Sequence, residues 1–304
     1  MTASPSMAPG IRQCRKGRGR SLRARWVAVG RLVAAIAVCA VVAACASRGG
    51  QSVPSEGTSV QLAHVHGLGV DPATGDLYAA SHYGLIRFPQ QGKPSRVGGL
   101  VQDFMGFTVV GPNHFLASGH PGAGQDGPSN VGLINSTDGG QSWQPLSLAG
   151  QADFHLLKAR HGLVYGSNTG QLLVSKDGRA WETRVSIAMA DLAVSPQNPQ
   201  MLLATTQQGL AHSTDGGRSF QLLAGAPRLQ LVTWTDAGDL IGIAPDGTVH
   251  VSGDGGATWS HRGSAQGEPE ALTVSGDQIY AAVNGKIVSS NDGGRTFRTR
   301  SEDS

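Results

Sequence analysis

After residue 45, the chain is a succession of short apolar runs separated by clusters of Gly, Asp, Asn and Pro. Apolar residues do not recur in this part of the chain at the spacing of a helix. Short apolar runs bounded by turn-forming residues are typical of β-strands joined by tight turns. The pattern therefore predicts an all-β protein.

The apolar runs come in groups of four. In the fourth group they span residues 191–195, 201–205, 209–213 and 219–223. The second run of a group can be placed six times, at residues 77–80, 114–118, 163–166, 201–205, 240–243 and 278–282. Repeats of roughly 40 residues with four strands each are typical of β-propeller blades.

The sequence thus predicts a propeller of six four-stranded blades. A seventh blade would need roughly 40 further residues, whereas a five-bladed ring would leave the first group unused. We also expect residues 59–63 to add an edge strand that helps to close the ring.

A short motif marks five of the six groups. Its full form, as at residues 136–143, is Ser-Thr-Asp-Gly-Gly-Gln-Ser-Trp, and the copy at residues 175–181 is one residue shorter. Asp and Ser side chains can hydrogen-bond nearby backbone amides, and Gly permits the positive φ angles of a tight turn. The motif predicts a hairpin turn, with aspartates 38 or 39 residues apart at Asp138, Asp177, Asp215, Asp254 and Asp292.

This motif matches the Asp-box, or BNR repeat, of sialidases, sortilin-type receptors and photosystem II assembly factors. In those families the box joins the two outer strands of a blade and lies far from the ligand site. The resemblance therefore implies that the five box aspartates are structural, and we do not expect them to be catalytic or to bind metal.

The N-terminus has the three parts of a bacterial export signal. A basic stretch at residues 12–25 is followed by an apolar stretch at 32–44, which is shorter than the roughly 20 residues of a spanning helix. Val42-Ala43-Ala44-Cys45 resembles the lipobox, in which the cysteine is diacylated. We expect a signal peptide at 1–45, a flexible tether at 46–58 and the propeller at 59–304. The chain would then be anchored by Cys45 on the outer face of the cell membrane; the alternative is an ordinary cleaved signal.

Charge and cysteine content fit an exported protein. The net charge is +3, but eight basic residues and no acidic ones lie in the first 45 residues, and the remainder has 16 basic and 21 acidic residues. No basic patch suggests nucleic acid as a partner, because its backbone demands clustered Lys and Arg. A mature chain that begins at Cys45 would contain no disulfide.

Candidate chemistry lies at the start of the first strand of each blade, because these strands line the channel of a propeller. Residues two apart share one side of a strand. Imidazoles and carboxylates that converge on one mouth of the channel suit a divalent metal or acid–base chemistry. The candidates at equivalent positions are His64, His66, Asp103, Asp153, His155, Glu268 and Glu270.

An insertion after the second run of the second group extends from residue 119 to 130 and is rich in Gly and Pro. Such insertions often carry function. Its His120 and Asp126 could join the same mouth, as could His82, which follows the second run of the first group. A plain surface loop is the alternative.

Four segments, at residues 64–72, 106–109, 118–121 and 152–155, resemble a group of actinobacterial lipoproteins described as glycosylhydrolase-like or BNR-repeat proteins. That label reports the fold and not the activity. No arginine triad and no Tyr–Glu pair, which sialidases require, can be assigned. Another glycosidase would need paired carboxylates, for which Asp103, Asp153, Glu268 and Glu270 are the candidates. The sequence favours a binding module for a glycan, a peptide or a protein, or a non-sialidase glycosylhydrolase-like protein, with its site at the channel mouth. The alternatives are an exo-sialidase-like hydrolase and an assembly factor that resembles photosystem II stability factors.

Overall fold

The computed structural model describes residues 60, 62–99 and 101–300. The predicted signal peptide at 1–45, with its lipidation residue Cys45, and the predicted tether at 46–58 lie outside the described residues. Among the residues that are described, there is no helix that could serve as a membrane span.

The described chain forms 24 strands in six antiparallel four-stranded sheets, so the predicted six-bladed propeller is confirmed. Blade 1 comprises β1 (Val65–Val70), β2 (Leu77–Ser81), β3 (Gly84–Phe88) and β4 (Ser95–Arg96). Blade 2 comprises β5 (Asp103–Gly111), β6 (His114–His120), β7 (Leu133–Ser136) and β8 (Gln144–Ser147). Blade 3 comprises β9 (Leu156–Arg160), β10 (Leu163–Asn168), β11 (Gln171–Ser175) and β12 (Glu182–Ser186).

The remaining blades follow the same order. Blade 4 comprises β13 (Asp191–Val194), β14 (Leu202–Thr206), β15 (Gly209–Ser213) and β16 (Gln221–Leu222). Blade 5 comprises β17 (Leu231–Trp234), β18 (Leu240–Ile243), β19 (Thr248–Ser252) and β20 (Ser260–Ser264). Blade 6 comprises β21 (Pro269–Ser275), β22 (Gln278–Val283), β23 (Lys286–Ser290) and β24 (Arg298–Thr299).

The hydrophobic core lies between the blades. Each core cluster combines side chains of two neighbouring sheets, as where Leu77 and Phe88 of blade 1 meet Tyr280 and Ile287 of blade 6. The ring closes through contacts between β1 and β21, although no strand is exchanged between the two blades. Packing of apolar side chains between twisted sheets thus holds the propeller together.

The expectation of an edge strand at residues 59–63 is not met by the described part of that segment. Residues 60, 62 and 63 are not in a strand. Val60 and Leu62 instead pack, partly buried, against the core cluster between blades 1 and 6. They assist closure by apolar contact and not by adding a ladder of backbone hydrogen bonds.

The five Ser-x-Asp turns join the third and fourth strands of blades 2 to 6. In blade 2, Ser136 Oγ accepts the Gly140 N–H at 2.8 Å and donates to Asp138 Oδ1 at 2.8 Å. Asp138 Oδ1 in turn accepts the Ser142 N–H at 2.9 Å. Gly140 has a φ of 87°, and a Cβ there would overlap Leu85 of blade 1. The turns therefore stabilise a hairpin and press it against the neighbouring blade.

Four side chains each accept a backbone N–H of a neighbouring blade, at the junctions of blades 6 and 1, 4 and 5, 2 and 3, and 1 and 2. Glu270 Oε2 accepts the Val65 N–H at 2.8 Å, and Asp191 Oδ2 accepts the Val232 N–H at 3.0 Å. Ser118 Oγ accepts the Phe154 N–H at 3.0 Å, while Asp71 Oδ1 accepts the Asn113 N–H at 3.0 Å. These bonds hold the blades in register around the channel.

Candidate functional site

The inner strands surround a central channel of about 520 Å³, to which all six blades contribute. Val65 at the start of β1 pairs with Ser81 at the end of β2, and Asp103 at the start of β5 pairs with His120 at the end of β6. The residues that precede inner strands therefore share one end of the channel with the loops that follow second strands. We call this end the histidine mouth and define it by His64, His66, His82, Asp103, His120, Asp153 and His155.

β-Bulges shape the inner strands at this end. The register shifts at His66 in β1, at Met105 in β5 and at Glu270 in β21. All three lie near the start of an inner strand. A bulge bends a strand and re-aims a side chain, and His66 lines the channel.

His82 connects two other mouth residues in a chain. Its Nδ1 lies 2.6 Å from Asp103 Oδ1, and its Nε2 lies 3.3 Å from His66 Nε2. When His82 is neutral, the carboxylate selects the tautomer that carries its proton on Nδ1, because a carboxylate only accepts. The lone pair on Nε2 of His82 then faces His66.

His64 lies beside the contacts that run from Asp103 through His82 to His66. Its ring centroid is 4.7 Å from that of His66 and 6.0 Å from that of His82. The His64 side chain is 56% exposed, and its Nδ1 is 3.9 Å from Glu270 Oε2, which is too long for a hydrogen bond. The ring can therefore turn without breaking a strong contact.

Asp153 organises a second group at the same mouth. Its Oδ2 lies 2.9 Å from His155 Nε2 and 3.5 Å from His120 Nε2. His120 Nδ1 lies 2.8 Å from the Ser129 carbonyl oxygen, so the imidazole bridges the insertion loop and blade 3. The other carboxylate oxygen, Asp153 Oδ1, is buried and has no hydrogen-bond partner within the described part of the chain.

The pKa of His66 is lowered from 6.5 to about 4, chiefly by burial and then by the neighbouring imidazoles of His64, His82 and His155, whereas the Asp103 carboxylate opposes the shift. His66 is therefore neutral at physiological pH and has a lone pair available for a proton or another electrophile.

Six of the eight predicted site residues come together on blades 1 to 3: His64, His66, Asp103, His120, Asp153 and His155. Glu270 has a different environment, because its carboxylate accepts the backbone N–H groups of Val65 and Gly285, both at 2.8 Å. Glu268 is exposed, and its side chain makes no hydrogen bond or ion pair with the residues described. Asp126 is exposed in the insertion loop.

Sequence reasoning named His82 only as an addition to the mouth, whereas the structure gives it contacts to both His66 and Asp103. It missed two ion pairs in the channel, Lys158 Nζ to Asp191 Oδ1 at 2.9 Å and Arg160 Nη2 to Asp236 Oδ1 at 2.6 Å. The sequence does set Asp191 apart as a candidate, because this residue starts an otherwise apolar run. Arg160 is the one arginine among the described channel-lining residues.

A metal centre is not preformed in the described residues, which contain no group of three or more His, Cys, Asp or Glu side chains arranged to hold an ion. Two imidazole nitrogens, His66 Nε2 and His82 Nε2, do face each other. The mouth therefore offers hydrogen-bonding groups, neutral imidazoles and two carboxylates that are already engaged by histidines.

Comparison with solved structures gives many similar folds. YCF48 bound to D1 peptide is similar with a TM-score of 0.52 and 19% identity, over 79% of this chain and 82% of that one. A gluconolactonase from Xanthomonas campestris has a TM-score of 0.62 and 11% identity, over 79% and 87% of the two chains. A nidogen/laminin complex has a TM-score of 0.55 and 12% identity, over 70% and 88%. At these identities the likeness shows the propeller fold alone.

No protein-family model and no curated protein sequence matches the chain.

Proposed function

We propose that this chain is an exported, lipid-anchored Asp-box propeller that binds a polypeptide segment at the histidine mouth. The observation that carries the proposal is the convergence of His66, His82, Asp103 and Asp153 at one end of the channel. Propellers present such mouths as concave sites on a rigid scaffold.

The mouth is accessible to a large ligand. The side chains of His64 and His155 are 56% and 59% exposed. Tyr83, next to His82, is 46% exposed and is one of two large hydrophobic residues exposed in the described structure. A partly apolar aromatic ring beside hydrogen-bonding imidazoles suits a peptide, which presents both apolar side chains and amides.

Two of the structural neighbours are complexes with polypeptides, namely YCF48 with D1 peptide and the nidogen/laminin pair. They support a polypeptide as the ligand class for a fold of this kind. The resemblance of the five turns to Asp-boxes adds that the ligand site lies away from those turns.

A hydrolase is less well supported. Glycosidases use one carboxylic acid and one carboxylate that face the sugar. Here Asp103 is occupied by His82, and Asp153 Oδ2 is occupied by His155. Arg160, the one arginine among the described channel-lining residues, pairs with Asp236 and does not provide the triad that a sialidase needs.

Site-specific photocrosslinking in the living cell envelope tests the proposal. A photoreactive residue is placed at position 83, on the rim of the histidine mouth, or at position 236, which follows an inner strand at the opposite end of the channel. We expect polypeptide adducts from position 83 and at least fivefold fewer from position 236. Equal yields at the two ends, or turnover of a glycoside panel by the wild type, would overturn the proposal.

A further inference from the structure

We propose that His66 and His82 hold a divalent transition-metal ion of the zinc class at the histidine mouth. The inference rests on the proposed function only in that it concerns the same mouth. It starts from one relationship, the 3.3 Å separation of the two Nε2 atoms, whose rings are inclined by 81°.

That separation suits a shared metal ion. Zinc is bound by histidine nitrogens at about 2.0–2.1 Å in a tetrahedral arrangement, which puts two nitrogen ligands about 3.3–3.4 Å apart. His66 and His82 already have this spacing. The rings need to turn so that both lone pairs point at one ion, but they do not need to move apart.

Asp103 prepares His82 for this role. A histidine that binds metal through one nitrogen usually donates from the other to a carboxylate, which fixes the tautomer and increases the basicity of the ligand. Asp103 Oδ1 occupies that position, 2.6 Å from His82 Nδ1. The contact leaves Nε2 of His82 as the ligand atom.

In the second group at the mouth, the histidine nitrogens have a carboxylate as their partner. The Nε2 atoms of His155 and His120 both approach the Asp153 carboxylate, at 2.9 and 3.5 Å. In the first group, Nε2 of His82 has only another imidazole as its partner. A metal ion between His66 and His82 would satisfy both nitrogens at once.

His64 supplies the third ligand. Its ring is close to both others, largely exposed and not held by a hydrogen bond among the described residues. Because no three donors are preassembled in the described structure, coordination is completed only when His64 turns. The fourth position is then open to water or to a group of the bound polypeptide.

Zinc titration of the full chain, prepared without a histidine tag and stripped with EDTA, tests the inference. Isothermal titration calorimetry measures the stoichiometry, and Co²⁺ in place of zinc reports tetrahedral geometry through its visible absorption. The test variants are His66→Gln, His82→Gln and Asp103→Asn. The matched control is His250→Gln, which alters another histidine pair, with His261 at a ring distance of 6.2 Å, far along the chain on blade 5.

We expect one zinc per chain, loss of that binding in His66→Gln and His82→Gln, and a 10- to 100-fold weaker affinity in Asp103→Asn. His250→Gln should bind as the wild type does. Absence of zinc binding in the wild type, or equal affinity in wild type and His82→Gln, would overturn the inference. Thermal unfolding of each variant identifies any that fails to fold, and Asp103→Asn, at a partly exposed side chain, keeps the test valid in that case.

The two proposals fail separately. If the zinc site is absent, crosslinks from position 83 persist and are unchanged by EDTA. If the polypeptide site is absent, zinc still binds with unit stoichiometry while positions 83 and 236 give equal adducts.

Discussion

His82 and Asp103 belong to different blades, yet Nδ1 of one lies 2.6 Å from Oδ1 of the other. The two side chains are 39% and 32% exposed, so their pairing contributes about 0–1 kcal/mol to stability. Its main consequence is orientation. The carboxylate on β5 fixes which nitrogen of His82 faces His66, and the histidine mouth is therefore organised across a blade boundary.

Glu270 and Glu268 are a matched pair of residues that compares a carboxylate with a structural role to an exposed one. The Glu270 carboxylate accepts two backbone N–H groups at the junction of blades 6 and 1, whereas Glu268 is exposed. Glu270→Ala should lower the free energy of unfolding by about 1–3 kcal/mol, because two amides lose their acceptor. Glu268→Ala should change it by less than about 0.5 kcal/mol. Denaturant unfolding measures both, and equal effects would contradict the assignment of Glu270 as the closing contact.

Ser136 tests the structural role of the Ser-x-Asp turns. It is 2% exposed, and its Oγ accepts the Gly140 N–H and donates to Asp138. Ser136→Ala should destabilise the chain by about 1–3 kcal/mol, since the buried amide of Gly140 is left unpaired. Thr137→Ala, in the exposed centre of the same turn, is the control and should be close to neutral. Crosslinking at position 83 should be unaffected by either change; a loss of crosslinks in a folded Ser136→Ala chain would place function in the turn.

The fold was predictable because the information is local and repeated. Strand length, the Ser-x-Asp turn and its spacing are properties of one blade, and they recur. The mouth was partly predictable, because Asp103 and His66 precede or begin inner strands and strand direction decides which end they reach. The role of Glu270 was not predictable, because its partner, the Val65 N–H, belongs to the blade at the other end of the chain.

The contact between His82 and Asp103 could not be predicted from the sequence for a related reason. His82 lies in a loop, and no periodicity predicts where a loop side chain points. The use of Asp191 as a link to blade 5 likewise depends on how two sheets pack and not on the pattern within one.

The low pKa of His66 predicts a pH dependence in metal-free buffer. The unfolded chain protonates His66 near pH 6.5, whereas the folded chain does so only near pH 4. The unfolded state therefore binds more protons between these values, and stability falls as the pH drops from about 6.5 to 4. Thermal unfolding across this range should show a shallower decline for His66→Gln. An identical decline in both proteins would mean that the burial of His66 does not contribute.

The proposed lipidation at Cys45 predicts the location of the chain. Cys45→Ala should shift the protein from the membrane fraction to the soluble exported fraction, because the acyl chains that anchor it are lost. Cell fractionation with mass spectrometry of the N-terminus measures the change. Cys39→Ala is the control and should leave the protein on the membrane. A soluble wild type with an unmodified N-terminus would indicate an ordinary cleaved signal.

If the histidine mouth is the ligand-binding site, changes at the mouth weaken binding and changes at the other end of the channel do not. The most direct measurement is the affinity of a polypeptide identified by crosslinking for three forms of the full chain: wild type, His64→Ala/His155→Ala and Arg160→Ala/Asp236→Ala. The first double variant removes two exposed imidazoles at the mouth, and the second removes an ion pair toward the other end of the channel. We predict at least tenfold weaker binding for the mouth variant and wild-type affinity for the other. Equal affinity of all three forms, or a loss confined to the Arg160→Ala/Asp236→Ala variant, would contradict the account.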